Sequence, residues 1–415
     1  MLKLSSRHAA LVLTGATLAL AAGVLPAQAA SSASSASTAS TASTGWRTAA
    51  TVASKGKTVV LSGIDAVSAR DAWAAGAGFT SSGKNDVGLI EHWAGKAWQA
   101  VKLPSSIAKD WNAYAADFPL IGASSATDVW AFGDTPSGTE YDGYVRLNGR
   151  KWTAGKLPDS SISGGKAVLV AAVKVISSTD VWVLGGQTSA SSATSTFTPY
   201  AAQFNGSKWK TYSVPGSGVI TAASEISRGD IWAVLGVPSL YTSVATAASP
   251  AVIQWNGSSW KTTAVQPSAV DLPSGANLTS IIASSNGTVW IGGGAANSKG
   301  GTSEFAAKLT GSTWTKGSLS APASSSDFSL ISVVPDGSGG IWGLAESNEL
   351  NKPRIWHLAS GATTWKSAAT SFGSSNHALL QLAQVPGTHS AWGVGVAQRG
   401  KAVDGLFAVD GATPR

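Results

Sequence analysis

The chain has 415 residues, of which 43% are hydrophobic and only 12% charged, against roughly 25% charged in an average soluble domain. Cysteine is absent, methionine occurs once, and glycine (47) and tryptophan (18) are abundant, which excludes disulfides, thiolate metal sites, cysteine nucleophiles and a cysteine-linked lipid anchor. The net charge of +7 is spread over single lysines such as Lys151, Lys208, Lys210 and Lys261, so a basic face for nucleic acid is not expected.

Residues 1–30 open with Lys3 and Arg7, continue through an apolar run from Ala9 to Val24, and end at Ala27-Gln28-Ala29. This is the layout of a secretory signal peptide with a small-x-small cleavage site. The absence of an Arg-Arg pair favours a Sec-type signal over a twin-arginine one. The run is short for a membrane span and no later segment qualifies, so a secreted, extracellular protein without a span is expected. Removing Lys3 and Arg7 lowers the 29 basic residues to 27 against 22 acidic ones, a mild surplus. Ser31 to Thr44 contains only Ser, Ala and Thr, too little apolar surface to order itself, and reads as a flexible spacer before a folded domain at 45–415.

From Gly45 the chain repeats itself. One motif occurs seven times, as DAWAAG from Asp71, DVWAFG from Asp128, DVWVLG from Asp180, DIWAVL from Asp230, TVWIGG from Thr288, GIWGLA from Gly340 and SAWGVG from Ser390, with its tryptophans 50 to 58 residues apart. That spacing is close to the roughly 50-residue period of kelch-like blades. A second motif alternates with it: HWAGKAW ending at Trp98, RLNGRKW at Trp152, QFNGSKW at Trp209, QWNGSSW at Trp260, KLTGSTW at Trp314 and HLASGATTW at Trp365. Apolar runs around a short Asn-Gly or Gly-Ser connection predict a hairpin. Each repeat therefore predicts four strands: a, a small-apolar run such as Leu278 to Ser284; b, opening at the DxW motif; c, ending before the turn; and d, carrying the second tryptophan.

A single four-stranded sheet cannot bury both faces, whereas a ring of them does. The expected fold is thus all-β, a seven-bladed β-propeller of four-stranded antiparallel blades. In the seventh repeat strand c, Leu406 to Val409, runs into Asp410-Gly411 without a strand-d tryptophan after it, while an unmatched Trp46 stands at the start of the domain. The N-terminal strand is expected to complete the last blade and close the ring, leaving no open edge. The recurring tryptophans read as core, each burying on the order of 150 to 250 Å². The leading Asp of DxW reads as a turn residue whose carboxylate accepts backbone N–H bonds, and its replacement by Thr288, Gly340 and Ser390 argues against catalysis there.

These paired motifs resemble secreted actinobacterial β-propeller proteins built from DVWAVG and HWDGTxW repeats, which carry a kelch-like or galactose-oxidase-central-domain-like label. The resemblance covers Gly45 to Arg415 and implies the propeller fold and export. The fifth and sixth repeats depart from it, since SNGTVW and DGSGGIW are closer to the DxxGxxW repeats of sensor propellers. It implies no chemistry: galactose oxidase uses a copper site with a Cys-crosslinked Tyr, and this chain has no Cys.

Catalytic constellations are thin. His92 and His357 repeat one strand-c position beside Trp93 and Trp356, His377 and His389 fall in a loop and a turn, and no HxH, HExxH or GxSxG pattern occurs, so neither a metal nor any other cofactor is expected. Counting six residues back from the DxW start puts Asp65, Lys174 and Gln384 at equivalent strand-a positions, with Glu225 one register away; these are candidate channel-lining residues. The segment from Asp134 to Asp142 offers oxygen ligands but lacks the glycine and glutamate of an EF-hand loop. The b–c and d–a connections are long and share one face, which is expected to be the working surface. Tyr114, Tyr141, Tyr144, Tyr200 and Tyr241 lie in or beside them. The span from Trp98 to Trp130 is the longest of its kind at 32 residues and holds Trp111 within KDWNAYAADF. Lys109, Asp110, Trp111 and Tyr114, with Glu140, Tyr141 and Asp142 on the neighbouring loop, are therefore the candidate ligand-binding rim. The expected function is a monomeric, non-enzymatic binding module for an extracellular glycan or protein. The alternative is a hydrolase or lyase acting on a polysaccharide through channel carboxylates.

Overall fold

The structure, a computed structural model, describes residues 45–53, 56–80, 86–115, 119–133, 143–158, 166–189, 197–237, 250–264, 266–267, 272–273, 275–319, 327–347, 353–373 and 376–411. The expected signal peptide and spacer lie outside them.

Strand follows strand along the chain, with one helix in the described residues. First comes β1 (Trp46–Val52), then β2 (Thr58–Ser68), β3 (Asp71–Phe79), β4 (Val87–Trp93) and β5 (Trp98–Ala100), then the helix α1 (Ser105–Tyr114). Five four-stranded meanders follow: β6 (Leu120–Ser125), β7 (Asp128–Gly133), β8 (Gly143–Asn148) and β9 (Lys151–Lys156); β10 (Lys166–Ser177), β11 (Asp180–Ser189), β12 (Thr198–Phe204) and β13 (Trp209–Thr211); β14 (Val219–Ser227), β15 (Asp230–Gly236), β16 (Ala251–Trp255) and β17 (Trp260–Thr262); β18 (Asn277–Ala283), β19 (Val289–Ala296), β20 (Thr302–Thr310) and β21 (Thr313–Lys316); β22 (Phe328–Pro335), β23 (Ile341–Ser347), β24 (Arg354–Leu358) and β25 (Lys366–Ser367). The chain ends in β26 (Thr370–Ser371), β27 (Asn376–Gln384), β28 (Ala391–Arg399) and β29 (Ala402–Asp410). The a, b, c and d strands expected from the repeats are therefore present in order.

The first and last segments share one nine-stranded sheet, in which β1 pairs antiparallel with β29, Trp46 facing Asp410, and β29 meets β2 at the single parallel pair Thr58 and Val403. β1 is also held from its other side, where β26 runs parallel to it and the Trp46 amide donates to the Ala369 carbonyl at 2.9 Å. The first strands of successive units pack side by side in the order β2, β6, β10, β14, β18, β22, β27, and β27 packs against β2.

Two backbone requirements explain residues that recur. A Cβ on Gly185, the last residue of DVWVLG, would collide with the Leu169 carbonyl oxygen of the adjacent strand, so close approach demands glycine there. The close approach accompanies a β-bulge in the first strand, seen as a register shift in β2, β10, β14, β18, β22 and β27. A bulge re-aims its side chain. Here it turns the hydroxyls of Ser62, Thr221 and Thr279 sideways, onto the carbonyls of Pro119, Leu278 and Leu330 of the next unit at 2.7, 2.8 and 3.0 Å. The core lies between sheets: Trp182 and Leu184 of one pack with Ile231, Ile253, Trp255 and Trp260 of the next.

Candidate functional site

Three DxW tryptophans are covered by the strand-c residue opposite them. His92 stacks on Trp73 with ring centroids 4.0 Å apart, His357 on Trp342 at 4.2 Å, and the Arg146 guanidinium lies 4.3 Å from the Trp130 ring. The motif aspartates hold these covers in place: Asp71 meets His92 Nε2 at 2.9 Å, and Asp128 accepts from Arg146 Nη2 at 3.2 Å. Asp180 and Asp230 accept from the amides of Gln203 and Gln254 at 2.6 and 2.7 Å. The expectation that these carboxylates cap the a–b turn is thereby corrected. The cap is a serine three residues earlier, Ser68, Ser125 or Ser177, whose Oγ accepts the amide of Arg70, Thr127 or Thr179. The reason is positional: the serine ends strand a, two residues before the turn amide it accepts, while the aspartate opposite it opens strand b and meets a strand-c side chain. Asp336 does both tasks in the sixth repeat, accepting from the Ser338 and Gly340 amides at 2.7 and 2.8 Å and meeting His357 at 2.8 Å. Burial works to raise its carboxyl, but these bonds prevail and hold it below the usual range.

The strand-a candidates divide. Asp65 and Lys174 face Trp73 and Trp182 at equivalent register positions, and the Lys174 charge acts on both Asp65 and Glu225. Burial pushes the Asp65 carboxyl up to about 6, against the lowering influence of the Ala123 amide and Lys174, and burial likewise raises Glu225. Gln384 does not belong to this set. In its strand Ala383 faces Trp392, so Gln384 is one residue out of register, and its amide instead donates to the Val385 and Thr388 carbonyls of a longer a–b turn. Asp65 has a structural task as well. Its two oxygens accept the Ala66 amide at 2.9 Å and the Ala123 amide of the next unit at 2.8 Å. Ser224, Ser332 and Gln381 make the same kind of bond to Ala283, Leu382 and Ile64 at other seams.

Of the expected rim, Trp111 is not an exposed aromatic. Trp111 on α1 has 0% exposure. Its indole lies where a Cβ on Gly88 would stand, and Asn112 beside it accepts the Gly88 amide at 2.9 Å. Trp111 therefore docks α1 onto β4 within a cluster that includes Trp73, Ile90 and Val129. Lys109 is exposed and Asp110 half-buried on the same helix. Tyr144 and Tyr200 are packing residues too, Tyr144 against Trp130, Phe132 and Trp209, and Tyr200 donating to the Pro158 carbonyl at 2.8 Å. His377, expected in a loop, is the second residue of β27 and is buried. Glu140, Tyr141, Asp142 and Tyr241, with the rest of the segment from Asp134 to Asp142, lie outside the described residues, and the side chain of Tyr114 is not among those described. No cluster of acidic and histidine side chains suited to a metal occurs among the described residues.

A site that the sequence reading passed over lies between the β10–β13 and β14–β17 sheets, a cleft of about 460 Å³ lined by Gln203, Lys210, Tyr212, Arg228, Gly229, Trp255, Gly257 and Ser258. Arg228 and Gly229 come from an a–b turn, Gly257 and Ser258 from a c–d hairpin, so it opens on the face of short turns, opposite the expected one. One chain of contacts fixes its wall. Tyr212 donates its hydroxyl to Gln203 Oε1 at 2.8 Å, Gln203 Nε2 donates to Asp180 Oδ1, and Arg228 Nε lies 2.7 Å from Asp180 Oδ2. The Asp180 side chain is fully buried while that of Arg228 is 68% exposed. The Lys210 ammonium stands 4.4 Å from the Tyr212 ring centroid, and Trp255 meets that ring edge-on. The signal for this site was in the repeat. Three residues after each strand-d tryptophan stand Ala49, Val101, Gly155, Tyr212, Thr263, Gly317 and Ala368, and only one of these is aromatic.

No known family and no curated protein matches this chain by sequence. Among solved structures the fold is similar to a polysaccharide lyase described as an ulvan lyase, at a TM-score of 0.52 and 10% identity over 84% of this chain and 94% of that one. It is also similar to YCF48 bound to D1 peptide (TM-score 0.47, 13% identity, 84% and 92% covered). A third likeness is to the lectin of Aleuria aurantia, a fungal lectin with a six-bladed propeller and fucose recognition (0.41, 12%, 77% and 97%). At such identities these likenesses concern the fold alone. The succession of four-stranded antiparallel meanders makes this chain an all-β protein of the propeller class. No described helix is long and apolar enough to cross a membrane.

Proposed function

We propose that this chain is a secreted, monomeric, non-enzymatic binding module for an extracellular polysaccharide, cell-envelope component or protein, built as a seven-bladed β-propeller that β1 closes. The ring reading is supported by the packing order of the first strands, which returns from β27 to β2, and by the place of β1 as fourth strand beside β27, β28 and β29. The binding reading rests on one observation: the cleft between the β10–β13 and β14–β17 sheets, where aromatic walls meet fixed amide, hydroxyl and cationic groups. Such a mixture, mostly preformed, suits a small polar ligand or one unit of a polymer. A glycan array probed with the purified chain tests it, the expected result being retention of a defined glycan that is recovered uncleaved.

A second reading, a hydrolase or lyase, draws on Asp65, Lys174 and Glu225, two carboxyls of raised affinity for protons around one cation. It is the weaker reading because both Asp65 oxygens are already engaged by backbone amides. Depolymerisation of a retained glycan, lost in Glu225→Gln, would establish it over the first.

A further inference from the structure

We infer that the cleft between the β10–β13 and β14–β17 sheets takes an acidic saccharide, a sugar unit bearing a carboxylate or sulfate; this rests on the binding-module reading and names its ligand class. Two cations line the cleft, and no acidic residue does. The negative charge nearby, on Asp180, is fully buried behind the wall and engaged by Gln203 and by Arg228 Nε. The Arg228 side chain, paired with that carboxylate through Nε at 2.7 Å, is otherwise 68% exposed, which leaves guanidinium N–H groups for a planar or tetrahedral anion, the kind of partner they grip in a fork. The buried carboxylate, itself fixed through Gln203 and Tyr212, keeps the guanidinium at the cleft by charge before any ligand arrives, which lowers the ordering cost of binding. Lys210 supplies a second charge beside it, its ammonium over the Tyr212 ring.

The other groups lining the cleft fit a sugar rather than a bare anion. Gln203 keeps one N–H and one lone pair beyond the bonds already made, Ser258 presents a hydroxyl, and Tyr212 and Trp255 provide apolar wall. The arrangement is peculiar to this seam. The residue two before the DxW aspartate is Ala69, Ala126 and Ser178 in the first three repeats but Arg228 in the fourth. The first three seams pack with small residues there, and the geometry of a blade does not account for Arg228 or Tyr212.

The test is calorimetric titration of the full chain with polygalacturonate, with dextran as a neutral sugar polymer and poly-L-glutamate as a charged polymer without sugar. Polygalacturonate is expected to bind at least tenfold more tightly than either. Lys210→Glu is expected to weaken it at least tenfold; Lys210 is exposed, so this variant keeps the fold, and Arg228→Gln provides a second reading with its melting temperature measured alongside. Lys261→Glu is the control, since Lys261 holds the same position one sheet on, with Thr263 in place of Tyr212, and it is expected to leave affinity unchanged. Equal effects of Lys210→Glu and Lys261→Glu, or equal binding of dextran or polyglutamate, would overturn the assignment. If the array yields a glycan whose binding Lys210→Glu leaves intact, the cleft falls and the binding-module reading stands; if no glycan is retained, both fall.

Discussion

Asp180 and Asp230 begin the same motif but carry different loads. Asp180 is fully buried and meets both Gln203 and Arg228, whereas Asp230 is half-buried and meets Gln254. Asp180→Ala leaves the part-buried Gln203 amide without its acceptor and Arg228 without its ion-pair partner, and is expected to cost about 1 to 3 kcal/mol, Asp230→Ala about 0.5 to 1.5 kcal/mol. Urea denaturation of the two variants checks the order, and a reversed order would count against this division of labour. Glu91 in β4 presents the opposite case, a buried carboxyl that burial alone pushes up to about 7. The folded state holds its proton in a pH range where the unfolded chain, with an ordinary glutamate, has released it. Stability from this group is therefore present at low pH and lost as pH rises toward about 7. Glu91→Gln removes that penalty, so the variant is expected to be more stable than the parent at pH 8 by about 1 to 3 kcal/mol and nearly equal to it at pH 4. An equal difference at both pH values would show that packing rather than ionisation separates them.

Among the elements, β1 has the heaviest duty for its length. It brings the buried Trp46 edge-on to Trp342, with centroids 5.8 Å apart, and covers the outer edge of β29 over six paired residues. Under the proposed closure, deleting Gly45 to Ala50 both empties the indole site and exposes a strand edge. Loss of the tryptophan alone is expected to cost about 3 to 5 kcal/mol, seen as a lowered melting temperature, and the bared edge adds a tendency to associate that light scattering detects. A truncated chain that melts with the parent would refute the closure. Helix α1 shows the same dependence on packing. Trp111 stood outside both repeat positions and was read as a ligand contact, yet α1 uses it as the peg that fits the space left by Gly88.

For the whole molecule, pH acts through carboxyls that burial has raised: Asp65 to about 6, Glu91 to about 7, and Glu225 and Asp410 in the same direction. Each binds protons in the folded state that the unfolded chain gives up, so unfolding releases protons between about pH 4 and 7, and stability falls as pH rises through that window. Asp336 has the opposite sign: held below its usual range, it contributes stability that is lost only as pH drops below the ordinary carboxylate value near 4. The melting temperature is accordingly expected to peak on the acidic side of neutrality, near pH 5, and to decline toward pH 8. A maximum at pH 8 would show that the raised carboxyls do not govern the profile.

The strand pattern was legible in the amino-acid order because it is local. A DxW tryptophan, its strand-c cover and the strand-d tryptophan after the turn lie within one four-stranded unit, so their spacing alone predicts four strands, buried indoles and a propeller architecture. What the motif aspartates bind was only half legible, since a turn places Asp180 but the partner Gln203 is set by pairing of β11 with β12, and Arg228 by the neighbouring sheet. Gln384 was misplaced for the same reason: a longer a–b turn shifts its register by one residue, which a fixed offset from the motif does not detect. The cleft was decided wholly in three dimensions. Its walls come from two successive repeats, between Gln203 and Ser258, and the residues that make it are departures from the repeat. Periodicity displays what every unit shares, whereas a site at one seam consists of what two units do not share, and packing is the step that brings those differences face to face.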